Sequence, residues 1–458
     1  MKKLVFTAIA STLLVQTMSL HAQDTPLDRL RTYLQVDTVN PPGNETRGVA
    51  FFSKILDAEG IRYETAESAP GRGNIWARLE GGDEPGLILL HHMDVVPATA
   101  SEWDTDPLTA VTQDGYVFGR GAVDAKSLGI LHLEAFLALH RSGQRPDRDV
   151  IFMATADEEA GGLFGAGWLI DNRPEIFENA GYLLNEGGYG LEADGRILFK
   201  IELAQKRPFW LRLTATDEPG HGSMPQSTSA PTRLIQALNR IYETPFEPRV
   251  VEPVQRMFEA IAAQAGPAWQ DELLNIHEAV KDPEFLRRFQ ADRPDLHALI
   301  RNTCSITMLV GSEKINVVPP VASAELDCRI LPDQDAQQFL GEIASRVNDE
   351  HIRIEEIMLF GAAESSADTE LFHLLEDVTK RHYSVTKVIP AVSTGFTDSH
   401  FFRDIGITSY GYSPLVIRKD HIAGVHGNNE RIGIDTFERG VEMMTEIVAR
   451  FVSSNSGE

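Results

Sequence analysis

Gly86 to His92 reads GLILLHH, an apolar run that ends in two histidines. Asp149 to Ala156 (DVIFMATA) is a second such run, and it ends at Asp157-Glu158-Glu159. Gly181 to Asn185 (GYLLN) is a third, ending at Glu186. Lys126 to His140, between the first two, is apolar-rich and long enough to be a helix. Short continuous apolar runs separated by helical patterns predict buried strands in an α/β sheet covered on both faces. Ligands of such sheets sit beyond the carboxyl ends of the strands. That is where this chain places its polar clusters.

Working outward, residues 27–60 read as helical, interrupted by the turn Pro41-Pro42-Gly43. The character changes near residue 205. Phe209 to Thr216 (FWLRLTAT) alternates like a half-exposed strand, and a helix is predicted over Ala230 to Tyr242. Residues 246–300 are charged and mostly helical in pattern. Strands are predicted at Ser305–Val310, Ala322–Leu331 and Ile352–Met358, with a helix at Asp335–Asn348. We read this as a small α+β domain, residues 205–362, inserted into an α/β domain made of residues 23–204 and 363–458.

A chain of 458 residues suits two domains, and 42% hydrophobic with 24% charged residues is an ordinary globular balance. The formal charge of −25 argues against nucleic acid and anionic membranes as partners. Met1-Lys2-Lys3, the apolar run Leu4 to Val15 and the small exit residue Ala22 are the parts of a secretory signal peptide over residues 1–22. That run falls short of the roughly 20 residues that cross a bilayer. A periplasmic or secreted protein is therefore expected, free of the membrane once the signal is removed. The two cysteines, Cys304 and Cys328, stand in strand-like stretches, and both a bridge and two buried thiols stay open.

Taken singly, the polar clusters have ordinary explanations. His92-x-Asp94 could be a structural pair, Asp124 a helix cap, Glu158-Glu159 a solvated loop, and His421 and His426 surface histidines. Together they hold the imidazoles and carboxylates that borderline metals such as Zn²⁺ accept. Two histidines and three or four acids at strand ends can build a site for two metals sharing one carboxylate and activating water. A further acid must then move the proton, and adjacent Glu158 and Glu159 can divide those tasks.

Ten stretches in order carry a resemblance: LLHHMDVVPA (89–98), WDTDPL (103–108), DGYVFGRGAVDAKS (114–127), ATADEEAGG (154–162), LLNEGG (183–188), GHGSMP (220–225), INVVPP (315–320), LDCRILP (326–332), TGFTDSHFF (394–402) and HGNNERI (426–432). The chain resembles the co-catalytic zinc metallopeptidase family of glutamate carboxypeptidase, aminoacylase, succinyl-diaminopimelate desuccinylase and carboxypeptidase S, family M20. The resemblance implies a mixed-sheet zinc-exopeptidase domain with an inserted lid or dimerisation domain. It implies two Zn²⁺ per chain, with Co²⁺ or Mn²⁺ as substitutes. His92 and Glu186 match ligands of one metal, Glu159 and His426 ligands of the other, and Asp124 the bridge. Glu158 matches the general base and Asp94 the acid that orients His92. His221 resembles a histidine that reaches a partner's active site in dimeric members, and Asn316 and Arg329 resemble residues that hold a substrate carboxylate. Asp398 is expected to support the site, and His91 and His421 to be structural.

The function implied is hydrolysis of an amide beside a free carboxylate, by a carboxypeptidase or an N-acyl amino acid hydrolase, with a homodimer through the insert. An aminopeptidase or dipeptidase of the same chemistry is one alternative. A catalytically inactive peptide-binding protein is another.

Overall fold

The computed structural model describes residues 24–193, 195–361, 364–384 and 387–453, so the expected signal peptide lies outside the described residues. The larger sheet takes its first strands from β1 (Tyr63–Glu67), β2 (Gly73–Leu79), β3 (Glu84–His92), β4 (Arg148–Thr155), β5 (Ala180–Asn185), β6 (Gly190–Ala193) and β7 (Arg196–Gln205). Helix α1 (Lys126–Ser142) links β3 to β4, and α2 (Ala166–Asn172) lies between β4 and β5. The chain then leaves this unit for β8 (Arg207–Thr216), α3 (Ala230–Glu243), β9 (Thr303–Val310), β10 (Val321–Ile330), α4 (Ala336–Val347) and β11 (Ile352–Leu359). It returns through β12 (Lys387–Ser393), β13 (Thr408–Gly411), β14 (Val416–Arg418) and the last helix, α5 (Ile434–Phe451).

The larger sheet runs β1-β2-β4-β3-β5-β13-β7-β6-β14, with β12 paired to β7. Its pairing is mixed. β3, β4, β5 and β13 are parallel neighbours, while β2 runs antiparallel to β4 and β6 antiparallel to β7. Alternation along β3 explains its uninterrupted apolar run. Leu87 and Leu89 join the core beneath α1 and α5, and Ile88 and Leu90 join a second core with Leu169 of α2 and Phe402. Val150 and Phe152 of β4 divide from Ile151 and Met153 in the same way. With both faces buried, each such side chain contributes roughly 2 kcal/mol through removal from water. Helix α1 is buried from Lys126 through Leu137, which fits its place under the sheet.

The smaller unit is an antiparallel sheet in the order β9-β10-β8-β11, with α3 and α4 packed on one face. Cys304 and Cys328 face each other across β9 and β10 and form a disulfide, which resolves the choice that sequence left open. This strand-rich part has its own core around Phe209, Leu213, Leu326 and Phe339. The helices between Glu252 and Ile300 pack differently. Val254, Phe258, Phe289 and Ile300 join the larger core, against β12. Arg207, at the start of β8, donates to the carbonyls of Phe360 (2.9 Å) and Gln334 (2.7 Å), which pins the two ends of the insert together.

Candidate metal centre

Three adjacent parallel strands deliver the first groups. His92 closes β3, Glu158 and Glu159 follow β4, and Glu186 follows β5. Asp124 comes from the loop before α1, and His426 from the loop between β14 and α5. His92 Nε2 lies 3.0 Å from Asp124 Oδ1 and 3.5 Å from Glu186 Oε1. His426 Nε2 lies 3.0 Å from Asp124 Oδ2 and 3.1 Å from Glu159 Oε2. Two donor groups result, His92–Asp124–Glu186 and Asp124–Glu159–His426, each able to hold a metal ion, and Asp124 gives one oxygen to each. Ligands about 2.0–2.1 Å from one Zn²⁺ at tetrahedral angles lie about 3.3 Å apart, so the separations and the N/O chemistry fit.

The electrostatics of the cluster follow from crowding acids in a dry place. Burial and the charges of Asp124 and Glu159, against His92, push Glu186 up to about 7. Burial raises Glu158 well above the usual range, and the charge on Glu186 adds to it. Burial opposes a charged His92, but Glu186 and the bonds to Asp124 and Asp94 outweigh it and hold its pKa well up. Bonds to Asp124 and Glu159 raise His426 to about 10.

A wider shell fixes these groups. Asp94 Oδ1 accepts from Glu158 N (3.1 Å) and Oδ2 from Glu159 N (3.2 Å) and Asn40 Nδ2 (2.8 Å). Its backbone carbonyl lies 2.9 Å from His92 Nδ1, with carboxylate Oδ1 at 3.5 Å. The loop holding both glutamates is therefore pinned to the same aspartate that follows His92. Arg72 reaches Asp157 Oδ1 (2.5 Å), Glu45 Oε1 (3.0 Å) and Asn40 Oδ1 (3.3 Å), which ties that shell together. Glu430 clamps the other side. It accepts from Arg120, Gly121 N, Val123 N and Asp124 N, joining the Asp124 loop to the His426 loop.

Sequence reading missed Asn40, Arg72 and Glu430. Glu430 stands inside the quoted HGNNERI stretch, which was the one available signal for it. Asp398 is buried near the cluster, with Oδ2 accepting from Thr155 Oγ1 (3.2 Å) and burial lifting it to about 8. Gly162 makes room for it, because a Cβ there would lie 2.3 Å from Asp398 Oδ1 on a backbone with φ of +70°. His91 is buried under the sheet, within 3.3 Å of Tyr33 Oη, and His421 packs edge-on against Tyr116. His400 stacks on Phe360.

The groups placed on the smaller unit stand apart from this cluster. His221 and Asn316 are exposed on a short ribbon, Gly220–His221 paired with Val317–Val318, and His221 Nδ1 accepts from Ser223 N (3.2 Å). Arg329 is half-buried, donates from Nε to Asp327 Oδ1 (2.6 Å), and lies 5.3 Å from the ring centre of Phe396 across the junction between units. Its Nη1 is buried without a partner among the described residues.

Residues 88–450 match peptidase family M20/M25/M40. The N-fatty-acyl-amino acid synthase/hydrolase PM20D1 of Xenopus tropicalis is 30% identical over 393 residues, 82% of this chain and 75% of the relative. Aminoacylase-1B of Rattus norvegicus is 28% identical over 431 residues, 92% of this chain and 94% of the relative. The M20 family metallo-carboxypeptidase of Sulfolobus solfataricus has the same fold, with a TM-score of 0.70 at 19% identity over 93% of this chain and 98% of that one. The chain belongs to peptidase family M20/M25/M40 and is a hydrolytic enzyme of that family.

Proposed function

We propose that the protein hydrolyses an amide bond next to a free carboxylate, in an N-acyl amino acid or at the C-terminus of a peptide. The observation that carries this reading is the pair of donor groups sharing Asp124, with the Glu158 carboxyl buried beside them. Relatives named as a fatty-acyl-amino acid hydrolase and an aminoacylase support the substrate class.

His92 and Glu186 would hold one Zn²⁺, Glu159 and His426 the second, and Asp124 both. Co²⁺ and Mn²⁺ suit the same donors. Bound divalent ions supply the Lewis acidity that lowers the pKa of water and polarises a carbonyl. Glu158 takes the proton of the attacking water on its carboxylate and returns it to the leaving nitrogen. Asp94 fixes the His92 ring and the Glu158 backbone while this happens. Arg329 offers Nη1, which has no partner among the described residues, to the substrate carboxylate, with Asn316 as a second donor.

His221 serves the site from a second copy of the chain. β9 is an edge strand on which Met308 and Leu309 are exposed, an arrangement that soluble proteins avoid unless something covers it. Leu309→Lys is expected to give a monomer in sedimentation and to lower turnover with it. A leader over residues 1–22 directs export, and the Cys304–Cys328 bridge suits an oxidising compartment. Glu158→Ala tests the core of the reading. It should keep the metal content of the wild type and lose turnover. Retained turnover would remove Glu158 from its role.

A further inference from the structure

A cavity of about 440 Å³ opens between β14, the strand Arg431–Gly433 and the first turns of α5. None of the five grouped donors lines it. Its lining sets three arginines against three carboxylates. The lining arginine Arg418 pairs with Asp420, as Arg381 pairs with Glu446 and Arg450 with Asp377 elsewhere on this surface. Two of the lining arginines do not. Arg431 donates to the Asn429 carbonyl (3.2 Å) and Arg439 to the His382 carbonyl (3.3 Å), and neither has a carboxylate partner among the described residues.

Each of these guanidinium groups lies against a ring that also lines the cavity. Arg431 is 5.9 Å from the ring centre of Tyr116, and Arg439 is 4.9 Å from that of Tyr383. Glu192 and Asp435, on the acidic side, make no ion pair among the described residues either. Aliphatic side chains of β7 and β14 complete the wall. Unpaired charges of both signs therefore share one concavity with apolar and aromatic surface.

That combination selects a ligand class. Guanidinium groups take a carboxylate, often in two places. Free carboxylates take an ammonium, and an apolar wall takes an apolar side chain. A free α-amino acid carries all three groups, and the volume falls within the range of small-molecule sites, about 300–1,000 Å³. We propose that this cavity is a second, non-catalytic site for a free α-amino acid with an apolar side chain. Only the identity of that ligand as a reaction product rests on the function proposed above. Arg431 follows Glu430 directly, so the site lies behind the loop that carries His426.

The test is calorimetric titration of the full chain with L-phenylalanine. His92→Ala and metal-stripped wild type are two independent backgrounds that remove binding at the metal centre. One L-phenylalanine per chain is expected to bind in both. Arg439→Gln and Asp435→Asn, added to the His92→Ala background, are each expected to weaken it at least ten-fold. Arg439→Gln alone should leave hydrolysis unchanged. Absence of binding in both backgrounds, or binding that neither substitution alters, would overturn the inference. A chain that binds L-phenylalanine here but releases no amine from any substrate refutes the proposed function alone. A chain that hydrolyses but does not bind refutes this inference alone.

Discussion

Glu430→Gln is the perturbation whose effect can be worked most fully from the structure. Oε2 of Glu430 accepts from Arg120 Nη1 (2.7 Å) and Gly121 N (2.9 Å), and Oε1 accepts from Val123 N (2.7 Å) and Asp124 N (3.1 Å). Glutamine keeps the shape but turns one oxygen into an amide NH₂. Whichever oxygen is replaced, a donor then faces two donors. Two bonds are lost, and two buried N–H groups are left without an acceptor. At about 1–3 kcal/mol for each orphaned buried group, the loss is about 2–6 kcal/mol. Arg120 and Glu430 are both buried, and breaking a buried pair costs about 3–5 kcal/mol, which places the expected loss in the middle of that span. The same residue holds the backbone of Asp124, so metal retention should fall with stability. Changes behind a ligand typically cost about 10–100-fold in metal affinity. Urea unfolding of the metal-free protein and zinc competition against a chelator measure the two effects. A Glu430→Gln protein with unchanged stability and unchanged zinc retention would show that Glu430 does not hold the Asp124 loop.

Arg403 donates to both oxygens of Glu202 (3.1 and 2.9 Å) with both side chains buried, so Arg403→Met should cost about 3–5 kcal/mol in urea unfolding, and Glu202→Met in the same chain should restore part of it. Burial holds His132 down to about 3, against about 6.5 in the unfolded chain. The unfolded state then binds more protons between those values, so this contribution is full above pH 6.5 and is lost as pH falls toward 3, by about 1.4 kcal/mol per unit. His132→Leu should flatten that slope of unfolding free energy, and an unchanged slope would rule the assignment out. The Cys304–Cys328 bridge closes a loop with a sequence separation of 24, so replacing both cysteines by serine should destabilise the smaller unit by about 3 kcal/mol, read as a lower unfolding midpoint.

Much of this was legible in sequence because the reacting groups sit at the ends of strands. GLILLHH shows its strand by an apolar run and its exit by polarity, and β3 does end at His92. The same holds for Glu158 after β4 and Glu186 after β5. What sequence did not show is the support. Glu430 and Gly121 are 309 residues apart, Arg72 and Asp157 are 85 apart, and Asn40 and Asp94 are 54 apart. A side-chain pair at such a separation leaves no periodicity or local spacing to read. The charged, mostly helical stretch 246–300 lies inside the insert in sequence, yet an amphipathic helix reveals only that one face is buried. Here Phe258 and Phe289 find that burial in the larger core.

The central claim is tested most directly by amine release from a matched panel, using mature zinc-loaded protein with His92→Ala as control. The panel holds N-acyl amino acids, dipeptides, and longer peptides blocked at either end. Cleavage is expected to need a free carboxylate beside the scissile bond and to disappear in His92→Ala. Cleavage that needs a free N-terminus instead, or none at all despite two bound metals, would contradict that claim.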